Sequence, residues 1–443
     1  MVKKIIAITV VWMLGLGAVG AETILTVEKV RDMAIQYNRQ FQSVRKELDR
    51  ARGEIIAARA GALPDISLDG RYSRNIQVRE IFLPDFEGGE GFTKIPISQK
   101  NDFDFSLSFT QPLYAGGKVS SAMSIARIYE KYSKEKVNEV ESQIIFGAES
   151  MFYNAILARS NLEVLNSAYE QLSYNLEVVE KYYGQGMVSE YELLRARVEK
   201  LNLEPQRIAA ESQLNISRKS LKSYLGLPLE EEIVLVSDLS DTMLVDLPPL
   251  DSLIPIALKN RPEIKQAELQ KRGYDKAVRI AKGNWLFPSL DFNTTYQVTA
   301  SSDDFRLNDK EISKTWTASL LLNIPIFDGA RTIGEVRKAK VDYYQAVLGE
   351  QQKRDDIRLE VEQAHDNLMT AKKALDLQKE TIGQAEEGTR IANLRYQSGV
   401  GTQLEVLSAQ TALTDARTNF ARAIYSFRLA KSALRKAVSF DII

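Results

Sequence analysis

The second half of this chain repeats the first at a constant spacing of 213 residues, and this duplication limits the fold more than any other feature. The stretch QPLYAGGK, which begins at Gln111, is matched by IPIFDGAR, which begins at Ile324. The same offset joins Tyr183 with Tyr396, Gly186 with Gly399, Glu192 with Glu405, and Ala196 with Ala409. A chain duplicated in this way is expected to form one structural plan twice. That plan is helix, strand, loop, strand, very long helix, glycine-containing turn and helix.

The stretch around Gly116, Gly117 and Lys118 resembles a phosphate-binding loop only superficially. Such a loop needs a first glycine separated by four residues from its Gly-Lys pair and Ser or Thr directly after that pair, but Pro112 and Val119 stand there. We therefore predict a hinge between strand and helix. Pro112 and Pro325 are expected to end strands, since proline cannot donate to a sheet. The turns into the long helices would use Gly116, Gly117 and Gly329, with Lys118 and Arg331 as surface charges of the first helical turn.

Four segments alternate apolar and polar residues with a period of two, as membrane-crossing strands do. In FDFSLSFT the residues Phe103, Phe105, Leu107 and Phe109 face one way. The predicted strands lie at about 64–75, 102–112, 288–299 and 315–325, close to the 9–11 residues that cross an outer membrane. Four strands cannot close a barrel, and an open strand edge is not tolerated in lipid. Three chains would supply twelve strands.

The remaining segments carry apolar residues at coiled-coil spacing. Val361, Ala364, Leu368, Ala371 and Leu375 step by three and four residues, which predicts helices packed along their length. We assign a first repeat at 22–226, with a long helical hairpin at about 118–226. A linker follows at 227–250. The second repeat covers 251–443, with its hairpin at about 331–438. The apolar stripe is interpreted as structural, not as a cofactor site.

The first 21 residues are typical of a secretory signal, with Lys3 and Lys4 before a short apolar run and small residues before the predicted cleavage point after Ala21. No cysteine follows, so no lipid anchor is predicted, and no later segment is apolar enough for a membrane helix. With no cysteine and one histidine, His365, we expect no metal site, cofactor or catalytic residue. A formal charge of −1 suggests no nucleic-acid partner.

The chain resembles the TolC family of outer-membrane efflux channels. The resemblance rests on the duplication, on QPLYAGGK and IPIFDGAR, and on two turn motifs, YYGQGMVSEYELLRARVE and RYQSGVGTQLEVLSAQTAL. It implies a mainly α-helical fold with a membrane β-barrel, in which a trimer forms twelve strands continued by a long α-helical coiled-coil barrel. It also implies a passive exit duct, not an enzyme, in the outer membrane of a Gram-negative bacterium. The duct would extend into the periplasm and work with a periplasmic adaptor and an inner-membrane pump in efflux or type I secretion.

The resemblance gives two sets of residues a role. The periplasmic tips that meet the adaptor would be formed by Gly186, Met187, Val188, Gly399, Val400, Gly401 and Thr402. An acidic ring at the entrance would be formed by Glu192 and Glu405. The family carries a further acid where this chain has Ser408, and a basic residue of the closing links where it has Gly401. The alternative for both glutamates is an ordinary solvated helix face.

Two other classes of protein share part of this sequence pattern. An exported coiled-coil protein with a structural or adhesive role and no pore would share the signal segment and the helices, but it does not explain the alternating strands. A secreted hydrolase is the weakest alternative, because the sequence has no G-x-S-x-G elbow and no cluster of metal ligands.

Overall fold

A computed structural model describes residues 23–84, 92–236, 248–305 and 312–439 of the chain. The predicted signal segment and the middle of the predicted linker lie outside these residues. The elements follow in this order: β1 (Thr23–Leu25), α1 (Val27–Tyr37), α2 (Arg39–Ala60), β2 (Asp65–Arg74), β3 (Glu80–Pro84), β4 (Phe92–Pro96), β5 (Asn101–Ala115), α3 (Lys118–Gly184), α4 (Glu190–Tyr224), β6 (Ile233–Leu235), α5 (Leu250–Asn260), α6 (Pro262–Leu286), β7 (Ser289–Ser302), β8 (Ile312–Asn323), α7 (Arg331–Gln397) and α8 (Gln403–Val438).

The duplication is visible in the two longest helices, since α3 and α7 each contain 67 residues. The chain divides into two compact units that cut across the two repeats. The first unit comprises residues 1–43, 139–261 and 356–443, and the second comprises residues 44–138 and 262–355. Each unit therefore combines segments from both repeats. Within the described parts of the chain, no helix has both the length and the apolar character needed to cross a membrane.

The second unit contains a four-stranded antiparallel sheet in the order β2-β5-β7-β8. Its strand ends differ from the predicted ones by at most three residues. All four helical connections join the sheet at the same end, because α2 and α6 enter β2 and β7 while β5 and β8 lead into α3 and α7. The opposite end carries the small β3–β4 hairpin, which the sequence did not predict. Both outer strands, β2 and β8, keep one edge without a strand partner in the described chain.

The register places apolar and polar residues on opposite faces of this sheet. Across the four strands, Leu68 pairs with Leu107, Leu107 with Tyr296, and Tyr296 with Trp316. One residue along, Ser67, Ser108, Thr295 and Thr317 form the equivalent row on the other face. Successive side chains of a strand point to opposite faces, so the alternation in the sequence becomes one apolar and one polar surface.

The prediction that Pro112 ends its strand is wrong. β5 continues to Ala115, with a register irregularity between Pro112 and Tyr114. The reason lies in the neighbouring strand, since β2 begins at Asp65 opposite Thr110, and beyond that point one side of β5 has no partner to receive an N–H group. Proline is tolerated where a strand has such an open side or a bulge. Pro325 lies two residues beyond the end of β8.

The turns into the two long helices use a pair of left-handed residues in each repeat. Gly116 and Gly117 have φ angles of 62° and 75°, and Gly329 and Ala330 have φ angles of 70° and 64°. Gly116 also lies against helix α6, where an added Cβ would be 3.2 Å from the Gly283 carbonyl oxygen. In the second repeat an alanine therefore occupies a conformation that costs an ordinary residue about 1 kcal/mol or more.

Asp328 stabilises this second turn. Its carboxylate accepts hydrogen bonds from the backbone N–H of Thr332, at 2.9 Å, and from the Thr332 hydroxyl. The carboxylate thus satisfies a free donor in the first turn of α7.

The first unit is held around a fully buried carboxylate. Glu149 of α3 is 0% exposed and accepts hydrogen bonds from Arg31 of α1 and Arg435 of α8. Nearby, the buried guanidinium of Arg261 donates to the carbonyl oxygens of Lys436 and Ala437 and pairs with Glu360 at 2.7 Å. These contacts fasten the end of α8 to α1, α3 and α7. Two short parallel strands, β1 and β6, complete the unit.

We expect Ala330→Gly to stabilise the protein by about 1 kcal/mol, because glycine adopts positive φ without steric cost. The matched variant Gly117→Ala places alanine at the equivalent position of the first repeat and should destabilise by a similar amount. Guanidinium-induced unfolding of the purified proteins in one detergent, followed by tryptophan fluorescence, measures both changes. A lower midpoint for Ala330→Gly would contradict the strain at this turn.

Candidate functional site

The first helical tip joins α3 to α4 through a glycine in a left-handed conformation. Gly186 has a φ angle of 72°, its N–H donates to the Tyr183 carbonyl, and the N–H of Met187 donates to the Tyr182 carbonyl, both at 2.9 Å. This is a Schellman motif, which satisfies the last carbonyls of α3. Three residues later Ser189 caps the N-terminus of α4 and accepts a hydrogen bond from the backbone N–H of Glu192 at 3.3 Å.

The second tip joins α7 to α8 with the same geometry. Gly399 has a φ angle of 76° and donates to the Tyr396 carbonyl, while Val400 donates to the Arg395 carbonyl. Thr402 caps the N-terminus of α8 and accepts a hydrogen bond from the N–H of Glu405 at 3.3 Å. The two tips are therefore duplicated in backbone conformation as well as in sequence.

The two predicted entrance glutamates have different partners. The Glu192 carboxylate accepts a hydrogen bond from the Ser189 backbone N–H at 3.2 Å, which completes a capping box. The Glu405 carboxylate instead accepts a hydrogen bond from Arg395 Nε at 3.3 Å. Since this pair is about half exposed, it adds little stability, but it compensates the charge of Glu405 locally. Glu192 has no cationic partner among the described residues.

Gly401 has no space for the basic side chain that the resemblance places there. An added Cβ would lie 2.9 Å from both Arg395 Cβ and the Tyr396 backbone nitrogen. The Gly401 N–H also donates to the Arg395 carbonyl at 2.9 Å, which keeps the turn against the end of α7. The nearby basic group is Arg395, six residues earlier in the last turn of α7.

The apolar tip residues divide into one that packs inside and two that are exposed. Val188 packs against a small core formed by Val179, Leu193 and Ala196. Met187 and Val400 are 67% and 71% exposed, at equivalent positions of the two tips. An added Cβ at Gly186 or Gly399 would meet nothing within 4 Å. Of the predicted contact residues, the exposed ones are thus the two glycines with Met187, Val400 and Thr402, while Val188 and Gly401 support the turns.

Tyr396 connects the two tips. Its ring lies 6.2 Å from that of Tyr182, between centroids, and its hydroxyl is buried without a hydrogen-bond partner in the described chain. Burial, and then the nearby negative charge of Glu192, raise the pKa of Tyr396. The Glu192 carboxylate of one tip is therefore close enough to act on a side chain of the other.

A groove of about 500 Å³ opens beside Tyr396, and sequence reasoning did not find it. Side chains of α3, α7 and α8 line it, and they include five amides: Gln171, Asn175, Asn393, Gln397 and Gln410. The Asn175 Nδ2 and Gln410 Oε1 atoms are buried without a partner in the described structure. The only signal in the sequence was the presence of amides where a coiled coil normally has apolar residues. In the described part of the chain, no group of acidic or histidine side chains could hold a metal ion.

Comparison with known proteins identifies the family. The model of the outer membrane efflux protein family matches residues 30–227 and 253–439, which covers both repeats. The chain belongs to the outer membrane efflux protein family. The resemblance to TolC seen in the sequence is confirmed, since the outer membrane protein TolC of Vibrio cholerae is 20% identical over 98% of this chain and 95% of its own.

Two further members show the same relationship in sequence and in structure. The proteases secretion protein PrtF of Dickeya chrysanthemi is 22% identical over 98% of this chain and 91% of its own. The CmeC outer membrane channel of Campylobacter jejuni superposes with a TM-score of 0.74 over 93% of this chain and 85% of that one, at 21% identity. The predicted fold class is confirmed. As an efflux protein of this family, the chain is an export channel in the outer membrane of a Gram-negative bacterium and extends into the periplasm, as predicted.

Proposed function

We propose that three copies of this chain assemble into one passive duct, which receives solutes from a periplasmic adaptor and an inner-membrane pump. The observation that carries the proposal is the four-stranded sheet of the second unit, with one apolar face, one polar face and two unpaired edges. Its strands contain 10, 15, 14 and 12 residues, enough to cross an outer membrane.

The unpaired edges of β2 and β8 favour assembly. In hydrocarbon every backbone N–H and C=O group needs a partner, and an open edge leaves a row of them unsatisfied. Pairing β8 of one copy with β2 of the next removes both edges. Three copies give a closed barrel of twelve strands, with the polar faces lining its interior.

The first unit offers a second surface for assembly, on helix α4. Six apolar side chains on this helix are more than half exposed, among them Ile216. The other five recur at intervals of three, four and seven residues: Tyr191, Leu194, Val198, Leu201 and Ile208. Such a stripe is the seam of a coiled coil. A neighbouring copy of the chain would cover it. An exported coiled-coil protein without a pore, the alternative function, would also use this stripe, but it would not need a two-faced sheet.

The assembly is tested by adding a charge within the stripe. We expect Leu194→Glu to weaken the trimer, because a carboxylate would be buried in an apolar seam. Gln206→Glu adds the same charge to the same helix outside the stripe and should have no effect. Mass measurement in detergent and conductance in a planar lipid bilayer are the readouts. A monomeric wild-type protein without conductance would reject the proposed duct.

The tips are proposed to dock the periplasmic adaptor through Met187 and Val400. Both side chains are apolar and exposed at the turns, where a partner can bury them. We expect Met187→Glu to weaken adaptor binding at least tenfold, since a methionine contributes about 1.5–3 kcal/mol when buried. Gln185→Glu, which adds a charge two residues away at an already polar position, should change binding little. Equal losses in both variants would indicate a general effect of charge instead of an apolar contact.

The entrance is proposed to carry a weaker acidic field than six free carboxylates would produce. Arg395 offsets Glu405, so of the two predicted entrance glutamates Glu192 alone lacks a cationic partner in the described chain, which makes three such carboxylates in a trimer. A ring of negative charge favours cations. The preference should therefore depend on Arg395 as well as on the two glutamates.

Ion selectivity tests this balance. We expect Glu192→Gln to lower the cation preference, and glutamine keeps the capping box intact. Arg395→Gln should raise the preference, since it frees the charge of Glu405. Reversal potentials across a salt gradient measure both shifts, with Glu211→Gln, about 28 Å further along α4, as the control. Shifts of the same sign in Glu192→Gln and Arg395→Gln would remove these residues from the filter.

A further inference from the structure

The apolar face of the four-stranded sheet carries two charged side chains within the described strands, Arg74 on β2 and Lys314 on β8. Their even positions place them on the same face as Tyr72 and Trp316. Both are cations and both are exposed. The described strands have no acidic residue on this face.

The polar face differs because it carries acidic side chains and because its arginine has a partner. It carries several carboxylates, at Asp65, Asp69, Asp102, Asp104 and Asp291. Its arginine, Arg71, is paired with Asp104 at 2.8 Å. Neither Arg74 nor Lys314 forms an ion pair within the described chain. A cation on an otherwise apolar face favours an anionic partner, because an unpaired charge at a lipid-facing position is costly.

Both cations lie toward the end of the sheet opposite the helical connections. Arg74 is the last residue of β2, and Lys314 is the third residue of β8 after the loop. Lys314 precedes Trp316 on the same face by one strand repeat, about 7 Å. The lysine side chain is long enough to extend past the apolar band and to place its ammonium group among lipid headgroups. In the assembled duct this end of the sheet faces the exterior of the cell.

Aromatic side chains mark the same boundary. Phe305, just after β7, packs on Tyr72 and Phe103 with ring centroids 5.4 and 5.6 Å apart. The Tyr72 hydroxyl donates to Asn101 at 2.9 Å, so the ring is apolar on one side and polar at its tip. Aromatic residues of this kind form girdles at the two interfaces of membrane barrels. Arg74 lies one strand repeat beyond this cluster and Lys314 one strand repeat before it, so the two cations flank the aromatic side chains.

We propose that Arg74 and Lys314 bind the phosphate groups of a phosphorylated glycolipid in the outer leaflet, whose acyl chains lie against the aromatic cluster and Trp316. This inference rests on the proposed function, since it requires the apolar face to meet lipid. Guanidinium and ammonium groups both bind phosphate, the first in a bidentate manner. The site selects an anionic headgroup and gives the barrel a fixed depth in the membrane.

The probe is hexa-acylated, doubly phosphorylated lipid A, added to the purified trimer in detergent and counted by native mass spectrometry. The wild-type protein should bind it more tightly than dephosphorylated lipid A, and excess inorganic phosphate should not displace it. Each of Arg74→Gln and Lys314→Gln should weaken binding about fivefold, and the double variant about 25-fold. Arg74→Lys and Lys314→Arg should retain binding.

Arg71→Gln is the matched control, because it removes a cation from the same strand but from the polar face. Unchanged binding in the double variant, or an equal loss in Arg71→Gln, would overturn the site. A wild-type protein that bound phosphorylated and dephosphorylated lipid A equally would also overturn the site. This comparison does not depend on whether the variants assemble. Conductance measured on the same samples separates the two proposals, since a conducting trimer without phosphate-dependent binding retains the duct and removes only the lipid site.

Discussion

The requirement that every backbone hydrogen-bonding group be paired inside a membrane determines much of this molecule. The four strands of one chain satisfy each other in the interior of the sheet, but β2 and β8 each leave an edge open. Helices satisfy their own backbone groups, and strands do so only with neighbours. In the proposed duct, further copies of the chain complete the barrel. Helix α4 of the first unit also has an exposed surface that a neighbouring copy would cover. There the groups to be covered are apolar side chains, not backbone groups.

The duplicated sequence gives duplicated backbone geometry but not duplicated chemistry. Both tips use a glycine in a left-handed conformation followed by a hydroxyl residue that caps the next helix. Their glutamates nevertheless differ, because Glu192 returns to its own helix cap while Glu405 meets Arg395. The turns into the long helices diverge in the same way, with Gly117 in one repeat and Ala330 in the other. One plan thus carries two different charge distributions at the proposed entrance.

The alternation of apolar and polar residues along the strands gives the sheet two chemically different faces. Its polar face carries carboxylates and a paired arginine, and its apolar face carries two cations near one end that form no ion pair with the described residues. This asymmetry agrees with a watery interior on one side and a membrane with an anionic boundary on the other. The strands themselves were predictable from the alternation, to within three residues at each end. The hairpin β3–β4 and the short pair β1–β6 were not, because each strand is too short to show a period.

The sequence by itself determined the duplicated plan, the long helices, the four strands and the positions of the tips. Each of these follows from a local pattern, a period of two or of about three and a half residues ended by glycine. Only the tertiary structure decided that β5 continues past Pro112, because the open side of that strand depends on where β2 begins. The same holds for Gly401, which the end of α7 crowds, and for Glu405, whose charge Arg395 offsets. These facts depend on distances between residues that no local pattern encodes.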